Sequence, residues 1–115
     1  MPLLPASSVL VQVADLVSNP HEYDKKQVTV SGLVSRLQVA TNRYDKLAYA
    51  FLLQDDEGHM VKVVGLGKLT IHNGERVVVE GTFHRVRFAR RGIIANEITA
   101  TTVRSLDRFH PDLVG

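Results

Sequence analysis

Two stretches of this chain carry valine at every second position, and each ends in glycine at the next position of that period. The first runs from Val28 to Gly32 and the second from Val77 to Gly81. A period of two places every second side chain on the same face of a β-strand. The pattern therefore predicts strands with one buried face and constrains the chain to a β fold.

Five segments of this kind follow one another between turn signals. The predicted strands cover residues 27–39, 48–54, 59–64, 75–83 and 93–103. Gly32 is the expected bend or bulge of the long first strand. A short helical turn is expected at Ala14–Val17, and Asn19-Pro20 should end it, because a residue before proline is pushed out of the α region. A closed barrel is the predicted architecture, since it leaves no exposed sheet edge.

Length and composition point to one ordinary globular domain. The 115 residues are 44% hydrophobic and 23% charged, and they include no cysteine, which excludes disulfides, thiolate zinc sites and cysteine nucleophiles. No apolar run approaches the about 18 residues that span a bilayer, and no export signal is recognisable. We expect a soluble, cytoplasmic protein with a tail or extended lead-in at 1–12, one domain at 13–104 and a second tail at 105–115.

Three segments resemble the OB-fold superfamily, in particular its tRNA-anticodon-binding and replication-protein domains. They match V-x-V-x-G-x-V at Val28–Val34, F-x-L-x-D-x-x-G at Phe51–Gly58 and G-E-x-V-x-V-x-G at Gly74–Gly81. The resemblance implies a five-stranded, Greek-key OB-fold barrel with a short N-terminal helix. The helix that usually plugs such a barrel between strands three and four has little room at 65–74, so the turn at 14–18 is expected to cover the barrel end instead.

A second OB family, the periplasmic haem chaperones of cytochrome c maturation, is similar from strand four to strand five. That family carries a functional His just after strand five begins, with a Tyr a few positions on. Here the segment reads Ile94-Ala95-Asn96-Glu97-Ile98, His110 has no following Tyr, and no membrane anchor is visible. The sequence therefore disfavours this family, and we expect no cofactor.

The positive charge of the chain is concentrated between strands four and five. Residues 81–96 contain four arginines and no acid, whereas the rest of the chain has 10 basic against 12 acidic residues. OB domains that bind single strands use the face of strands two and three and the loops after strands one and four. Those loops are predicted at 40–46 and 84–91, so the arginines would flank the binding face.

This placement predicts a surface for single-stranded nucleic acid, DNA or RNA, read with little sequence preference. Arginine forks bind phosphate oxygens and aromatic rings stack on bases. Tyr44, Tyr49 and Phe88 are the predicted stacking residues, whereas Phe51 is assigned to the core. The predicted nucleic-acid-binding residues are Arg36, Arg43, Tyr44, Lys46, Tyr49, Lys62, Arg85, Arg87, Phe88, Arg90 and Arg91.

Alternative functions remain open at this point. The arginines could be a solvated loop, and the domain could instead dock a protein partner, since aromatic residues make up only 6% of the chain. The five histidines show no metal-ligand spacing, and the carboxylates of Asp55-Asp56-Glu57 belong to a turn in which neighbouring side chains point apart. We expect neither a metal site nor an enzyme.

Overall fold

A computed structural model describes residues 8–89 and 92–107 of the chain, without the side chains of residues 87–89, 94 and 95. Strands dominate this part of the chain, and two short helices precede the long strands. The elements are β1 (Val9–Leu10), α1 (Val13–Ser18), α2 (Pro20–Tyr23), β2 (Gln27–Thr41), β3 (Leu47–Gln54), β4 (Met60–Leu66), β5 (Arg76–Ala89) and β6 (Gly92–Ser105). The five predicted strands correspond to β2–β6.

The strands β2 to β6 close into a barrel. β2 is antiparallel to both β3 and β5, β3 is antiparallel to β4, β4 is parallel to β6, and β6 returns antiparallel to β5. The two residues of β1 add to β2 in parallel. This architecture confirms the predicted all-β, five-stranded OB-fold barrel with a short N-terminal helix.

The barrel interior is filled by side chains at alternate strand positions and is closed at one end by α1. Val13 and Leu16 of α1 are 1% and 0% exposed, and Ile71, from the loop between β4 and β5, is 5% exposed. No helix lies between β4 and β5, where residues 67–75 form a loop. The expectation that the N-terminal turn covers the barrel is therefore confirmed. The buried strand residues are Val28, Val30, Val34, Tyr49, Phe51, Leu53, Val61, Val63, Val77, Val79, Phe83 and Ile98.

The chain after α1 departs from the prediction. α1 ends at Ser18, one residue beyond the predicted end, and Pro20 begins a second helix, α2, which the sequence did not predict. Proline is well suited to the first helical position, because its fixed φ is helical and its missing N–H has no partner there in any helix. Asn19-Pro20 thus separates two helices.

The bend of β2 lies four residues beyond the glycine predicted to produce it. The register of β2 against β3 shifts between Ser35 and Gln38, and Arg36 has a φ of 53°. The amide of Leu37 donates to Oδ1 of Asn73 at 2.9 Å, so the loop before β5 holds the bulge. Gly32 lies in unbroken pairing with β5, and a Cβ there would lie 2.8 Å from the carbonyl oxygen of Gln54. Its role is close packing of two strands.

The segment predicted as a loop at 84–91 is largely strand. β5 continues to Ala89 and pairs with β6 back to Gly92, so the two strands form a hairpin arm. Val86 and Phe88 alternate with arginines, which continues the two-residue period of β5. A loop was predicted here because the arginines make the segment polar. Arg90 and Arg91 lie outside the described residues.

Candidate nucleic-acid interface

The outer face of β3 and β4 is small and open because the large side chains of β3 point inward. Ala48, Ala50 and Leu52 face outward and are half-buried, whereas the alternate positions from Tyr49 to Leu53 are buried. Across the sheet, Leu52 lies opposite Lys62 and Ala50 lies opposite Val64. This face is the one that OB domains use for single strands.

A basic groove crosses this face. Its volume is about 220 Å³, and it is lined by Arg36, Gln38, Ala50, Phe51, Leu52 and Lys62. The bulge of β2 places Arg36 at the groove, because its left-handed backbone turns the strand at that residue. The structure therefore brings together two of the predicted binding residues, one from β2 and one from β4.

Lys62 is positioned by a buried carboxylate. Its Nζ lies 3.9 Å from Oε2 of Glu97, whose side chain is 1% exposed, while the side chain of Lys62 is 46% exposed. Glu97 lies directly opposite Lys62 in the parallel pairing of β4 with β6. The carboxylate attracts the ammonium group across this distance, and the side chain of Lys62 remains partly open to solvent.

The loop between β2 and β3 is ordered by one side chain. Oδ1 of Asn42 accepts hydrogen bonds from the amides of Tyr44 (2.9 Å) and Lys46 (3.1 Å), and the amide of Asn42 donates to the carbonyl of Lys46 (2.8 Å). Arg43, Tyr44 and Lys46 are exposed, and Tyr44 is 72% exposed. The loop thus presents two cations and one accessible ring on an ordered backbone.

Tyr49 is a correction to the predicted site. It is 8% exposed and stacks on Phe51 inside the barrel, with ring centroids 6.2 Å apart and an interplanar angle of 17°. Burial raises the pKa of the Tyr49 hydroxyl, as expected for a phenol removed from water. Tyr49 therefore cannot serve as an open stacking platform, whereas the assignment of Phe51 to the core is confirmed.

Arg85, on the β5–β6 arm, lies apart from the groove. Lys62 pairs with Glu97 and Glu97 with His84, so Arg85 is two strands away from Lys62. Arg85 is exposed, and its amide donates to Oδ1 of Asp24 at 2.8 Å. The side chains of Arg87 and Phe88 and the whole of Arg90 and Arg91 lie outside the described residues, so their roles stay predictions.

The acidic turn after β3 is structural. Oδ1 of Asp55 accepts from the amides of Glu57 (2.9 Å) and His59 (2.8 Å), and its Oδ2 lies 2.8 Å from Nδ1 of His59. Burial acts to raise the pKa of Asp55, but the combined hydrogen bonds and the charge of His59 lower it below its usual value. Among residues 8–89 and 92–107, no three His, Asp or Glu side chains converge on a metal-sized site.

Sequence reasoning missed an apolar cleft beside the groove. Its volume is about 450 Å³, and its walls come from the ends of β3 and β4 and from the middle of β6. In the sequence, the one indication of this cleft is Leu66 beside Gly65. The cleft depends on where β4 and β6 separate, which a pattern of period two cannot reveal.

Residues 7–103 match the model of the CcmE domain family. The chain belongs to the CcmE domain family. The match overturns the sequence-based decision against the family of haem chaperones. The observation behind that decision stands, since the segment 94–98 of this CcmE domain contains no His. No curated protein sequence matches the chain.

Solved structures similar to this CcmE domain share its fold at low sequence identity. Aspartyl-tRNA synthetase from Leishmania major matches with a TM-score of 0.62 and 17% identity, over 96% of this chain and 23% of the synthetase. The N-terminal domain of PriB from Thermoanaerobacter tencongensis gives 0.56 and 19%, over 71% of this chain and 97% of that one. A small single-stranded DNA-binding protein from Streptomyces coelicolor gives 0.52 and 14%, over 76% and 98%. The chain thus spans about a quarter of the synthetase.

Helices in the described part of this CcmE domain are short. The longer of the two, α1, has six residues, and neither is long and apolar enough to cross a membrane.

Proposed function

We propose that this CcmE domain binds single-stranded nucleic acid, with little sequence preference, across the outer face of β2, β3 and β4. The observation that carries the proposal is the basic groove, in which Arg36 and Lys62 line one open concavity on that face. Phosphate oxygens are the ligands that a guanidinium and an ammonium group favour at an open surface.

The loop between β2 and β3 extends this surface. Asn42 orders the loop before any ligand arrives, so little entropy is lost when Arg43 and Lys46 contact a strand. The exposed ring of Tyr44 can stack on a base, a contact worth about 1–3 kcal/mol. Among the structural neighbours, the Streptomyces protein is a single-stranded DNA-binding protein, which agrees with this use of the fold.

Fluorescence anisotropy with labelled oligo-dT and oligo-U of about 15 nucleotides tests the proposal. We expect micromolar or tighter binding that weakens as salt rises from about 50 to 200 mM, with the logarithm of the affinity falling by about 0.7 per phosphate contact and decade of salt. Absence of binding to either oligonucleotide at low salt would contradict the proposal and favour the alternative, a domain that docks a protein partner.

Charge-matched variants locate the binding surface. Arg36→Gln combined with Lys62→Gln removes two charges from the groove, and Lys25→Gln combined with Lys26→Gln removes two from exposed positions elsewhere. We expect the first pair to lower both the affinity and its salt dependence and the second pair to change them little. Equal losses in both pairs would mean that net charge, rather than the groove, attracts the strand.

Haem carriage is the second candidate function, and the family match is the observation that favours it. The described histidines lie at positions 21, 59, 72 and 84, none of them in the segment where the haem chaperones carry theirs. His110, the fifth histidine of the chain, lies outside the described residues. Titration with haemin tests the remaining possibility, because a stoichiometric shift of the Soret band would support a carrier and unchanged free-haemin absorption would exclude it.

A further inference from the structure

The apolar cleft opens where β4 and β6 separate. The parallel pairing of these strands ends at Val64 and Thr99, and beyond it the cleft occupies the space between them. Its volume of about 450 Å³ falls in the range of small-molecule sites, about 300–1,000 Å³. The cleft is lined by Ala48, Tyr49, Val64, Leu66, Thr99 and Ala100, together with Gly65.

The floor of the cleft is built from Tyr49 and Gly65. The two residues are directly opposite in the pairing of β3 with β4, and a Cβ on Gly65 would overlap the hydroxyl oxygen of Tyr49. Gly65 therefore allows the tyrosine ring to lie flat across β4. Because burial raises the pKa of this hydroxyl, it stays protonated at neutral pH and can donate a hydrogen bond.

The cleft and the basic groove are continuous along one sheet face. Ala50 lines the groove, Val64 lines the cleft, and the two residues are directly opposite across β3 and β4. Adjacent strands are about 4.8 Å apart, so a ligand in one concavity reaches the other without leaving the surface.

The apolar cleft and the basic groove differ in the charge of their lining residues. No residue lining the cleft carries a charge, whereas the groove has two cations. A phosphate is therefore favoured in the groove and disfavoured in the cleft, where a flat, neutral group with polar edges fits the lining. Aliphatic side chains contact its faces, and the hydroxyls of Tyr49 and Thr99 are polar groups for its edge.

We propose that the apolar cleft takes one unpaired base of a strand whose phosphates lie in the basic groove. This inference rests on the proposed function and assigns to the cleft the part of the ligand that the groove cannot bind. It also gives Tyr49 a role that its burial permits, as a hydrogen-bond donor at the bottom of a site rather than as an exposed platform.

The test compares oligo-dT with an oligonucleotide of the same length that carries abasic sugars throughout. We expect the wild type to bind the base-bearing strand about tenfold more tightly, as one or more base contacts would produce. Ala48→Leu fills the cleft and should remove the part of that difference that the cleft contributes, whereas the part from stacking on Tyr44 should remain. Ala40→Leu makes the same change at the exposed residue opposite Ala48 and should retain the difference.

Further outcomes separate the two proposals. Equal, salt-dependent binding of both strands by the wild type would overturn the base site and leave the nucleic-acid function intact. Failure of both strands to bind would overturn both. If haemin bound instead, and Ala48→Leu but not Ala40→Leu abolished its Soret shift, the cleft would belong to a porphyrin.

Two measurements make the test independent of affinity alone. Amide chemical shifts of Gly65 and Thr99 should move when thymidine monophosphate is added, and those of the acidic turn at Asp55–Gly58 should not. Tyr49→Phe keeps the ring and removes the hydroxyl, so it should reduce the preference for the base-bearing strand several-fold. Unmoved Gly65 and Thr99 amides at saturating nucleotide would place the base elsewhere.

Discussion

The two turns that flank β3 share one backbone design and carry opposite charges. In the turn before β3, Asn42 bonds the amides two and four residues later, and in the turn after it Asp55 does the same. In both turns the fourth residue has a left-handed backbone, with φ values of 59° at Asp45 and 92° at Gly58. The first turn displays two basic side chains, a tyrosine and one acid, Asp45, and the second displays two acids, Asp56 and Glu57.

The comparison shows that the first residue of each turn determines its shape and that the residues between are free to set its charge. Asn and Asp both accept hydrogen bonds from backbone amides two residues on, which is why they favour such turns. One strand of eight residues separates the basic turn from the acidic one. A polyanion on the face of β3 is therefore attracted to one end and repelled from the other.

Reversing the charge of the basic turn should remove this asymmetry, and it has the largest expected effect. Arg43→Glu with Lys46→Glu removes two phosphate contacts, so we expect the affinity for oligo-dT to fall by about 25-fold or more at 0.1 M salt and the salt slope to decrease by about 1.4. Anisotropy titrations across a salt series measure both quantities.

The control for that variant is Asp56→Lys with Glu57→Lys at the other turn. It changes the net charge by the same amount in the opposite direction, yet it should alter the affinity much less. A gain as large as the loss in the first variant would show that total charge matters and the position of the turn does not.

Substitutions at the left-handed positions of the two turns should change the free energy of unfolding by different amounts. Gly58→Ala forces a side chain into a conformation that costs about 1–2 kcal/mol, and since no atom lies within 4 Å of the added Cβ, the backbone is the sole cause. Asp45→Gly should be close to neutral, because relief of strain is offset by a more flexible unfolded chain. Urea unfolding measures both, and an equal cost at the two positions would contradict the shared design.

Removing the side chain that organises the basic turn should have a smaller effect. Asn42→Ala loses two side chain to backbone hydrogen bonds, and because both are exposed we expect about 1 kcal/mol in the free energy of unfolding. Asn42→Asp retains an acceptor at the same position and should recover most of that loss. If Asn42→Asp were as unstable as Asn42→Ala, the hydrogen bonds would not be what orders the turn.

Acid should affect only one of the two turns, and this is the smallest expected effect. Because the folded pKa of Asp55 lies below its ordinary value of 3.8, its ionised form stabilises the fold above that pH, and this contribution is lost as the pH falls through the folded pKa. Asp55→Asn keeps an acceptor without the charge. Urea unfolding between pH 7 and about pH 3 should show the difference between wild type and variant shrinking with acid, and a constant difference would contradict this account.

Local patterns in the sequence were sufficient to predict the fold, because the inward-facing residues of each strand recur at every second position. The same patterns failed where tertiary contacts decide. The bulge at Arg36 depends on Asn73, which is 37 residues away in the chain, and the extension of β5 depends on its pairing with β6. Neither contact has a local signal.

The candidate site was predictable in its residue types and less so in its geometry. Arg36 and Lys62 line one groove, whereas Arg85 of the β5–β6 arm lies two strands from it. Tyr49 could have been assigned correctly, since it shares a face with Phe51 and a core assignment for one requires it for the other. The cleft could not, because it arises from the separation of two strands.

The barrel is closed by a helix that comes before its first long strand. Val13 and Leu16 enter the core from α1, while every barrel strand follows Asn19 in the chain. The closing helix α1 and the barrel strands therefore lie on opposite sides of one exposed residue, Asn19, in the chain. The same contacts could form between two separate polypeptides. A peptide ending at Ser18 would bind the remaining chain and close the barrel. With a label on the peptide, assembly of this domain would be measured as a binding reaction.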